Sequence, residues 1–155
     1  TRSANVYGPG QQLYRIIPRT ILSCLSGKPM DLHGGGESVR SFIHINDVIE
    51  ATLELILNAN IGTSWHLSTK QVISIFDLVK KICKMTNTDF YKIVDIKDER
   101  LGKDQSYLLD SELVRKNFNW KDKISLDDGI KDTIRWVENH YSYLSQISWE
   151  YSHKL

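Results

Sequence analysis

Two positively charged segments of this sequence contain the residue types that bind phosphate groups. Arg40 follows the triple glycine 34–36 on a predicted strand, and residues 100–103 form a loop in which two cations flank a glycine. A guanidinium donates two parallel N–H bonds to a phosphate, which the ammonium group of lysine cannot do. From residue type alone, each segment has an alternative interpretation. Arg40 could instead lie in solvent or pair with Glu37, and the loop at 100–103 could be an ordinary solvated loop.

Other kinds of active site are disfavoured by the spacing of the residues. Three of the five histidines, His33, His44 and His66, could suggest a metal site, but their spacing matches no metal-ligand pattern, so we expect no metal. The triple glycine resembles an esterase oxyanion loop, but the G-x-S-x-G elbow that such a loop needs is absent. The G-x-x-G-x-x-G dinucleotide fingerprint, a Y-x-x-x-K pair and any Ser/His/Asp arrangement are also missing. The sequence therefore predicts no catalytic residue, and at most the binding of an anionic ligand.

Composition excludes several broad classes of function. The 155 residues carry a formal net charge of +1 with interspersed charges, which gives no electrostatic reason to expect nucleic-acid binding. No apolar run is long enough to cross a membrane, and no signal peptide is visible. Cys24 and Cys83 are predicted to be buried free thiols in a reducing cytoplasm, with a disulfide as the alternative.

Apolar periodicity and turn residues predict an α/β chain that is rich in helices. Five helices are expected: from Ile17 to Gly27, after a cap at Asn46 or Asp47, after Ser74, over Ser111–Phe118 and after Ser125. Four short strands are expected at 30–32, 39–45, 63–67 and 90–96. We assign residues 1–142 to one domain and 143–155, which lack a clear period, to a C-terminal tail.

Several motifs occur in an order that is far more specific than any one of them. They are Arg2-x-x-Asn5-x-Tyr7-Gly8-Pro9, Arg15-Ile16-Ile17-Pro18, Gly27-Lys28-Pro29, His33-Gly34-x-Gly36-x-x-x-Arg40-Ser41-Phe42-Ile43-His44-Ile45-x-Asp47-Val48, and Arg100-x-Gly102-x-Asp104. From Thr1 to about Glu138 this order resembles the extended short-chain dehydrogenase/reductase family, the NAD-dependent epimerases and dehydratases of nucleotide sugars. The similarity is greatest to the dTDP-glucose 4,6-dehydratases, followed by the UDP-sugar 4-epimerases and uronate decarboxylases.

The resemblance implies a fold and a function. The chain is similar to the helix-rich C-terminal, substrate-binding portion of this Rossmann-type fold, while in the family the N-terminal half binds NAD and carries the catalytic tyrosine and lysine. The implied chemistry is oxidation at C4 of the sugar, loss of water across C5–C6 and return of the hydride. We expect the chain to be inactive alone and the longer protein to be a cytoplasmic homodimer. Two alternatives remain: part of a UDP-sugar 4-epimerase, and a free-standing nucleotide-sugar-binding module.

The resemblance also implies a set of substrate-binding residues. They are Asn5, Arg15, Ile16, Asp31, Leu32, His33, Arg40, His66, Arg100, Gly102 and Lys103. By position, Asn5 would contact the diphosphate or the sugar phosphate, residues 31–33 would lie beside the base, and Arg40 and Arg100 would grip the pyrophosphate. His66 stands where the dehydratases usually have asparagine, and Leu101 where they usually have proline. Both differences bear on which nucleotide is bound.

Overall fold

A computed structural model, which describes residues 1–99 and 104–151, confirms the α/β class. The helices in these ranges are α1 (Ile16–Ser26), α2 (Ile45–Asn58), α3 (Ile75–Met85), α4 (Phe90–Ile93), α5 (Glu112–Phe118), α6 (Leu126–Asn139) and α7 (Tyr141–Leu144). The strands are β1 (Arg2–Ser3), β2 (Asn5–Tyr7), β3 (Met30–His33), β4 (Val39–Arg40), β5 (Phe42–His44), β6 (His66–Leu67), β7 (Ile73–Ser74), β8 (Val94–Lys97) and β9 (Ser106–Tyr107).

Pairing of the short strands is mostly parallel. Strand β2 runs parallel to β5, with Asn5 opposite Phe42 and Tyr7 opposite His44. Strands β1 and β6 pair in parallel, and so do β3 and β8. Strand β4 lies between β7, which is antiparallel, and β9, which is parallel. Because parallel strands need long connections, each pair joins distant parts of the chain.

The largest apolar cluster lies where α1, α3 and α6 meet. Ile21 of α1, Ile82 of α3 and Ile130 of α6 are fully buried there. Two further clusters lie under α2 and between β3, α3 and α4. The outer face of α2 is different: its apolar side chains at 49, 53, 56 and 57 are exposed.

Several predicted helix ends are confirmed. Helix α1 ends before Gly27, whose φ of 70° is the left-handed conformation that glycine adopts at helix ends. The hydroxyl oxygens of Ser74 and Ser125 accept the backbone N–H groups of Asp77 and Asp128, so both serines cap their helices as predicted.

Other local predictions were wrong. Residues 90–96 do not form one strand, because Asp89 caps a short helix over Phe90–Ile93 and β8 begins at Val94. The predicted strand 39–45 is divided into β4 and β5, and that over 63–67 is reduced to β6. The cap of α2 is neither Asn46 nor Asp47 but His44, whose ring accepts the N–H of Asn46.

Asp47 has a structural role that its position at a helix start did not reveal. Its side chain is only 1% exposed, and its two carboxylate oxygens accept the backbone N–H groups of Lys123 at 2.9 Å and Ile124 at 3.2 Å. It therefore joins the start of α2 to the loop that precedes α6.

We predict that Asp47→Asn lowers the free energy of unfolding by about 1–3 kcal/mol, since an amide has one acceptor oxygen and leaves a buried donor unsatisfied. Chemical denaturation checks this value. Asp95→Asn, an exposed carboxylate on β8, is the matched control and should change stability by less than about 0.5 kcal/mol. Equal effects of the two substitutions would show that the Asp47 contacts contribute nothing.

Candidate functional site

A cavity of about 1100 Å³ lies beside the end of β2, the loop that follows it and the start of α1. Arg40 and Ser38 bound it on one side, and the C-terminal residues Glu150 and Tyr151 on another. Its polar lining side chains include Asn5, Gln11, Gln12, Tyr14, Arg15, Arg19, Ser38, Arg40 and Glu150. Four of the predicted residues, Asn5, Arg15, Ile16 and Arg40, thus come together at one cavity.

Glycine is required where the chain turns into this cavity. Gly8 has a φ of 143°, and a Cβ added there would lie 2.7 Å from Cγ2 of Ile45 and 3.1 Å from Nε2 of His44. The backbone at Gly8 therefore passes directly over the start of α2. The turn is held further by the Gln11 side-chain amide, which donates to the carbonyl of Val6 at 2.6 Å.

Arg40 is half-buried, and its guanidinium is held by neutral partners. It donates to the carbonyl oxygens of Val39 at 2.7 Å and Asp104 at 2.5 Å. Backbone carbonyls orient a cation without cancelling its charge, so Arg40 retains a full positive charge at the cavity wall.

Two further arginines of the lining belong to the start of α1. Arg15 stacks over the ring of Tyr14 at 5.2 Å, and that ring meets Tyr151 edge-on at 5.1 Å. Arg19 forms an ion pair with Glu150 at 3.3 Å. Among the lining residues there are thus three arginines and one carboxylate, which gives the cavity a net positive charge and favours an anion.

Two buried oxygen atoms of the lining have no hydrogen-bond partner among the residues that the structure describes. They are the hydroxyl of Ser38, a residue only 5% exposed, and Oε1 of Gln11. Buried polar atoms are normally satisfied, so each unpartnered one needs an explanation. Their position on the cavity wall is explained if a ligand or water supplies the missing partners.

Asn5 is fixed at the bottom of this site. Its Nδ2 donates to the carbonyl of Ser41 at 3.0 Å, and its backbone N–H bonds the same oxygen at 3.2 Å. The amide plane is therefore oriented by the β2–β5 ladder.

The other predicted residues lie elsewhere. On β3, Leu32 is buried in a core cluster, Asp31 is 3.8 Å from the ammonium of Lys97, and the ring of His33 is 3.3 Å from the carbonyl of Asp98. His66 lies on β6 opposite Arg2. None of these four side chains lines the cavity. Arg100, Gly102 and Lys103 fall outside the described residues.

Sequence reasoning missed several lining residues. Tyr14 precedes the predicted Arg15 directly, Arg19 follows it by about one helical turn, and Ser38 lies two residues before Arg40. Their closeness in sequence to predicted residues could therefore have identified them. Glu150 and Tyr151 belong to the segment without periodicity, and nothing in the sequence indicated that it folds back onto α1. In ranges 1–99 and 104–151 no cluster of histidine, cysteine and acidic residues has the geometry of a metal site, and no helix is long and apolar enough to cross a membrane.

The floor behind the cavity contains a buried histidine and a buried tyrosine. The rings of His44 and Tyr7 meet edge-on at 5.4 Å, and Nε2 of His44 is 3.6 Å from a carboxylate oxygen of Asp132. Burial lowers the pKa of His44, and the carboxylates of Asp132 and Asp47 only partly oppose this effect. Burial also raises the pKa of Tyr7. Both rings are therefore neutral at pH 7.

Comparisons with known proteins show which family this chain resembles. Residues 1–67 match the model of the NAD dependent epimerase/dehydratase family. The chain is 33% identical over 148 residues to the trifunctional UDP-glucose 4,6-dehydratase/UDP-4-keto-6-deoxy-D-glucose 3,5-epimerase/UDP-4-keto-L-rhamnose-reductase of Arabidopsis thaliana, covering 96% of this chain and 22% of that protein. It is 30% identical over 146 residues to dTDP-D-glucose 4,6-dehydratase of Bos taurus, covering 91% and 41%.

A solved structure gives the same result for the fold. DesIV, a dTDP-glucose 4,6-dehydratase from Streptomyces venezuelae with NAD and TYD bound, superimposes with a TM-score of 0.87 at 24% identity, over 92% of this chain and 44% of that one. The resemblance predicted from the sequence is thus confirmed: the chain is similar to NAD-dependent epimerases and dehydratases. It spans less than half the length of each of these three proteins.

We predict that acidification destabilises the chain through His44. The unfolded state takes up a proton near pH 6.5, whereas the native pKa lies lower, so stability is complete above pH 6.5 and falls below it. In His44→Asn the side-chain oxygen keeps a capping acceptor but does not titrate. Denaturation between pH 7 and pH 5 should give the wild type a steeper loss, by up to about 1 kcal/mol per pH unit. Parallel pH profiles would contradict this assignment.

Proposed function

We propose that this relative of the NAD-dependent epimerases and dehydratases is the substrate-binding part of a nucleotide-sugar 4,6-dehydratase. The observation that carries the proposal is the cavity, where Asn5, Arg15 and Arg40 meet although they come from three separate segments. Its volume of about 1100 Å³ suits a ligand of the size of a nucleotide sugar. Its net positive lining suits the diphosphate of such a ligand.

The roles of the residues follow from their contacts. Arg40, held by two carbonyls, presents its remaining N–H groups to a phosphate. The hydroxyl of Ser38, two residues earlier and without a described partner, donates a further bond to the same anion. Arg15 and Arg19, at the start of α1, add positive charge that stabilises the same ligand. The aromatic pair Tyr14 and Tyr151 offers a flat surface on which a base can stack.

The residues 31–33, His66 and the loop residues Arg100, Gly102 and Lys103 stay in the proposal as predicted contacts to the nucleotide. Strand β3 lies apart from the cavity lining, so this role requires the nucleotide to extend beyond the cavity. The similarity to both UDP-glucose and dTDP-glucose 4,6-dehydratases supports the substrate class and leaves either base as a candidate.

NAD belongs to this proposal only through the longer protein. The solved relative from Streptomyces venezuelae has NAD bound. The present sequence lacks the glycine-rich fingerprint that holds the pyrophosphate of a dinucleotide. Its residues therefore do not provide a complete NAD site, and we propose that they bind and orient the sugar nucleotide only. Residues 1–142 would form the body of this binding domain, and Glu150 and Tyr151 of the tail 143–155 complete the wall of its cavity.

The exposed face of α2 fits a role within a larger enzyme. Helix α2 packs into a core cluster through Ala51 and Leu55, while four apolar side chains on its outer face are exposed. An exposed apolar patch of this kind marks a surface that another protein segment covers. We propose that the dinucleotide-binding part of the longer protein packs on this face. We also propose that the longer protein is a homodimer, as the resemblance implies. We propose a cytoplasmic location, which the two cysteines in the thiol form support.

A second candidate is part of a UDP-sugar 4-epimerase. The matched family model includes epimerases as well as dehydratases, and both classes bind a nucleoside diphosphate sugar. Calorimetric titration of the chain with dTDP-, UDP-, GDP- and CDP-sugars tests the binding that the two candidates share. Absence of heat and of a thermal shift with all four would contradict both.

We predict that Arg40→Ala weakens binding of the preferred nucleotide sugar about 10- to 150-fold, because a charged hydrogen bond contributes about 1.5–3 kcal/mol. Arg40→Lys should recover only part of this loss, since lysine cannot form the two parallel bonds. Arg135→Ala removes an exposed arginine of α6 outside the cavity and is the control for net charge. Equal affinities for Arg40→Ala and Arg135→Ala would contradict the role of Arg40.

We predict that Ser38→Ala separates binding from stability. The Ser38 hydroxyl has no partner among the described residues, so its removal breaks no hydrogen bond within them. The alanine variant should therefore unfold at the same temperature as the wild type or slightly above it. Its affinity for the nucleotide sugar should fall about 2- to 12-fold, the effect of one neutral hydrogen bond. Calorimetry and thermal denaturation measure the two quantities. Unchanged affinity would remove Ser38 from the site.

A further inference from the structure

The two cysteines of the chain lie against each other across a helix pair. Cys24 belongs to the last turn of α1 and Cys83 to the last turn of α3, and their Sγ atoms are 3.9 Å apart. Both are free thiols. The residues are 59 positions apart in the sequence, so this proximity is created by the packing of α1 on α3.

Their environments are not equivalent. Cys24 is half-buried, whereas Cys83 is 1% exposed. The hydrogen-bonding contact between the sulfur of Cys24 and that of Cys83, together with the hydroxyls of Thr86 and Thr88, lowers the pKa of Cys24 despite its partial burial. The same hydrogen bond and burial raise the pKa of Cys83. Cys24 is thus the more exposed residue of the pair and the one whose thiolate is favoured, and the thiolate is the form that attacks a disulfide.

We propose that Cys24 and Cys83 form a dithiol site that a low-molecular-weight disulfide converts into an intrachain disulfide. In the first step the Cys24 thiolate attacks one sulfur of the small disulfide, forms a mixed disulfide and releases one small thiolate. In the second step the sulfur of Cys83 attacks Sγ of Cys24, and its proton passes to the second small thiolate as that leaves. Two protein thiols are oxidised and one small disulfide is reduced to two thiols.

Closing the bond requires a modest local movement. The sulfur atoms must approach from 3.9 Å to about 2.05 Å, which is within reach of side-chain rotation and a small shift of two helix ends.

The cross-link would join the two helices that open at the cavity. Ile16 and Arg19 of α1 and Ile75 of α3 line the cavity, while both cysteines lie at the opposite helix ends. Oxidation therefore fixes the spacing of α1 and α3 without placing a new group in the cavity. Formation of the disulfide does not depend on nucleotide-sugar binding, so either proposal can fail while the other stands.

Treatment of the whole chain with an excess of glutathione disulfide at neutral pH tests the proposal. The expected product has lost two hydrogen masses, yields one peptide pair that links Cys24 to Cys83, and returns to the original mass with dithiothreitol. Its thermal midpoint should rise by about 5–10 °C, because the bond restricts the unfolded chain over a long loop. A chain that stays fully reduced, or one that accumulates only glutathione adducts, overturns the proposal.

Two single variants test the assigned roles. Cys83→Ala should stop at the mixed disulfide on Cys24, and Cys24→Ala should remain unmodified while it is folded. Rapid modification of Cys83 in folded Cys24→Ala would overturn the assignment of Cys24 as the attacking sulfur. The peptide map of the wild-type chain decides the existence of the disulfide even where a variant does not fold.

Discussion

The parallel ladder between β2 and β5 joins two distant segments of the chain and places the residues on which the cavity depends. It sets Asn5 opposite Phe42 and Tyr7 opposite His44. Because β2 leads into the turn at Gly8 and β4 precedes β5, the ladder also brings this turn close to Arg40. A shift of the register by one residue would turn the buried face of Ile43 outward and separate the amide of Asn5 from Ser41.

Buried polar contacts hold this ladder in place from behind. Asp47 accepts two backbone donors from the loop before α6, and His44 caps α2 while its ring packs against Tyr7. Close packing of α6 on the same tyrosine leaves no space for a side chain at Gly129, where an added Cβ would overlap the phenol. Tyr7 therefore has little freedom to move. Because Gly8 follows Tyr7 directly, the start of the turn at Gly8 is held in place as well.

The sequence was sufficient for the fold class, for most helix starts and for four of the residues that line the cavity. Serine caps at Ser74 and Ser125 and the glycine stop at Gly27 are local signals, and the structure follows them. The prediction of one strand over residues 90–96 was wrong, because apolar residues in a short segment fit a strand as well as a short helix. The cap at Asp89 favours the helix. Non-local contacts were not predictable: the return of Glu150 to Arg19 and the meeting of Cys24 with Cys83 leave no periodic pattern.

Helix α1 adds to the positive potential of the cavity beyond the charge of its arginines. Helices α2, α3, α5 and α6 each carry an acidic residue in the first turn, which compensates the positive end of the helix dipole. In α1 the first turn has no acid, and the capping position is occupied by Arg15, whose side chain accepts no N–H. This positive end lines the cavity together with Ser38, whose hydroxyl has no partner among the described residues. A phosphate bound there would therefore supply the negative charge that acidic side chains provide at the starts of α2, α3, α5 and α6.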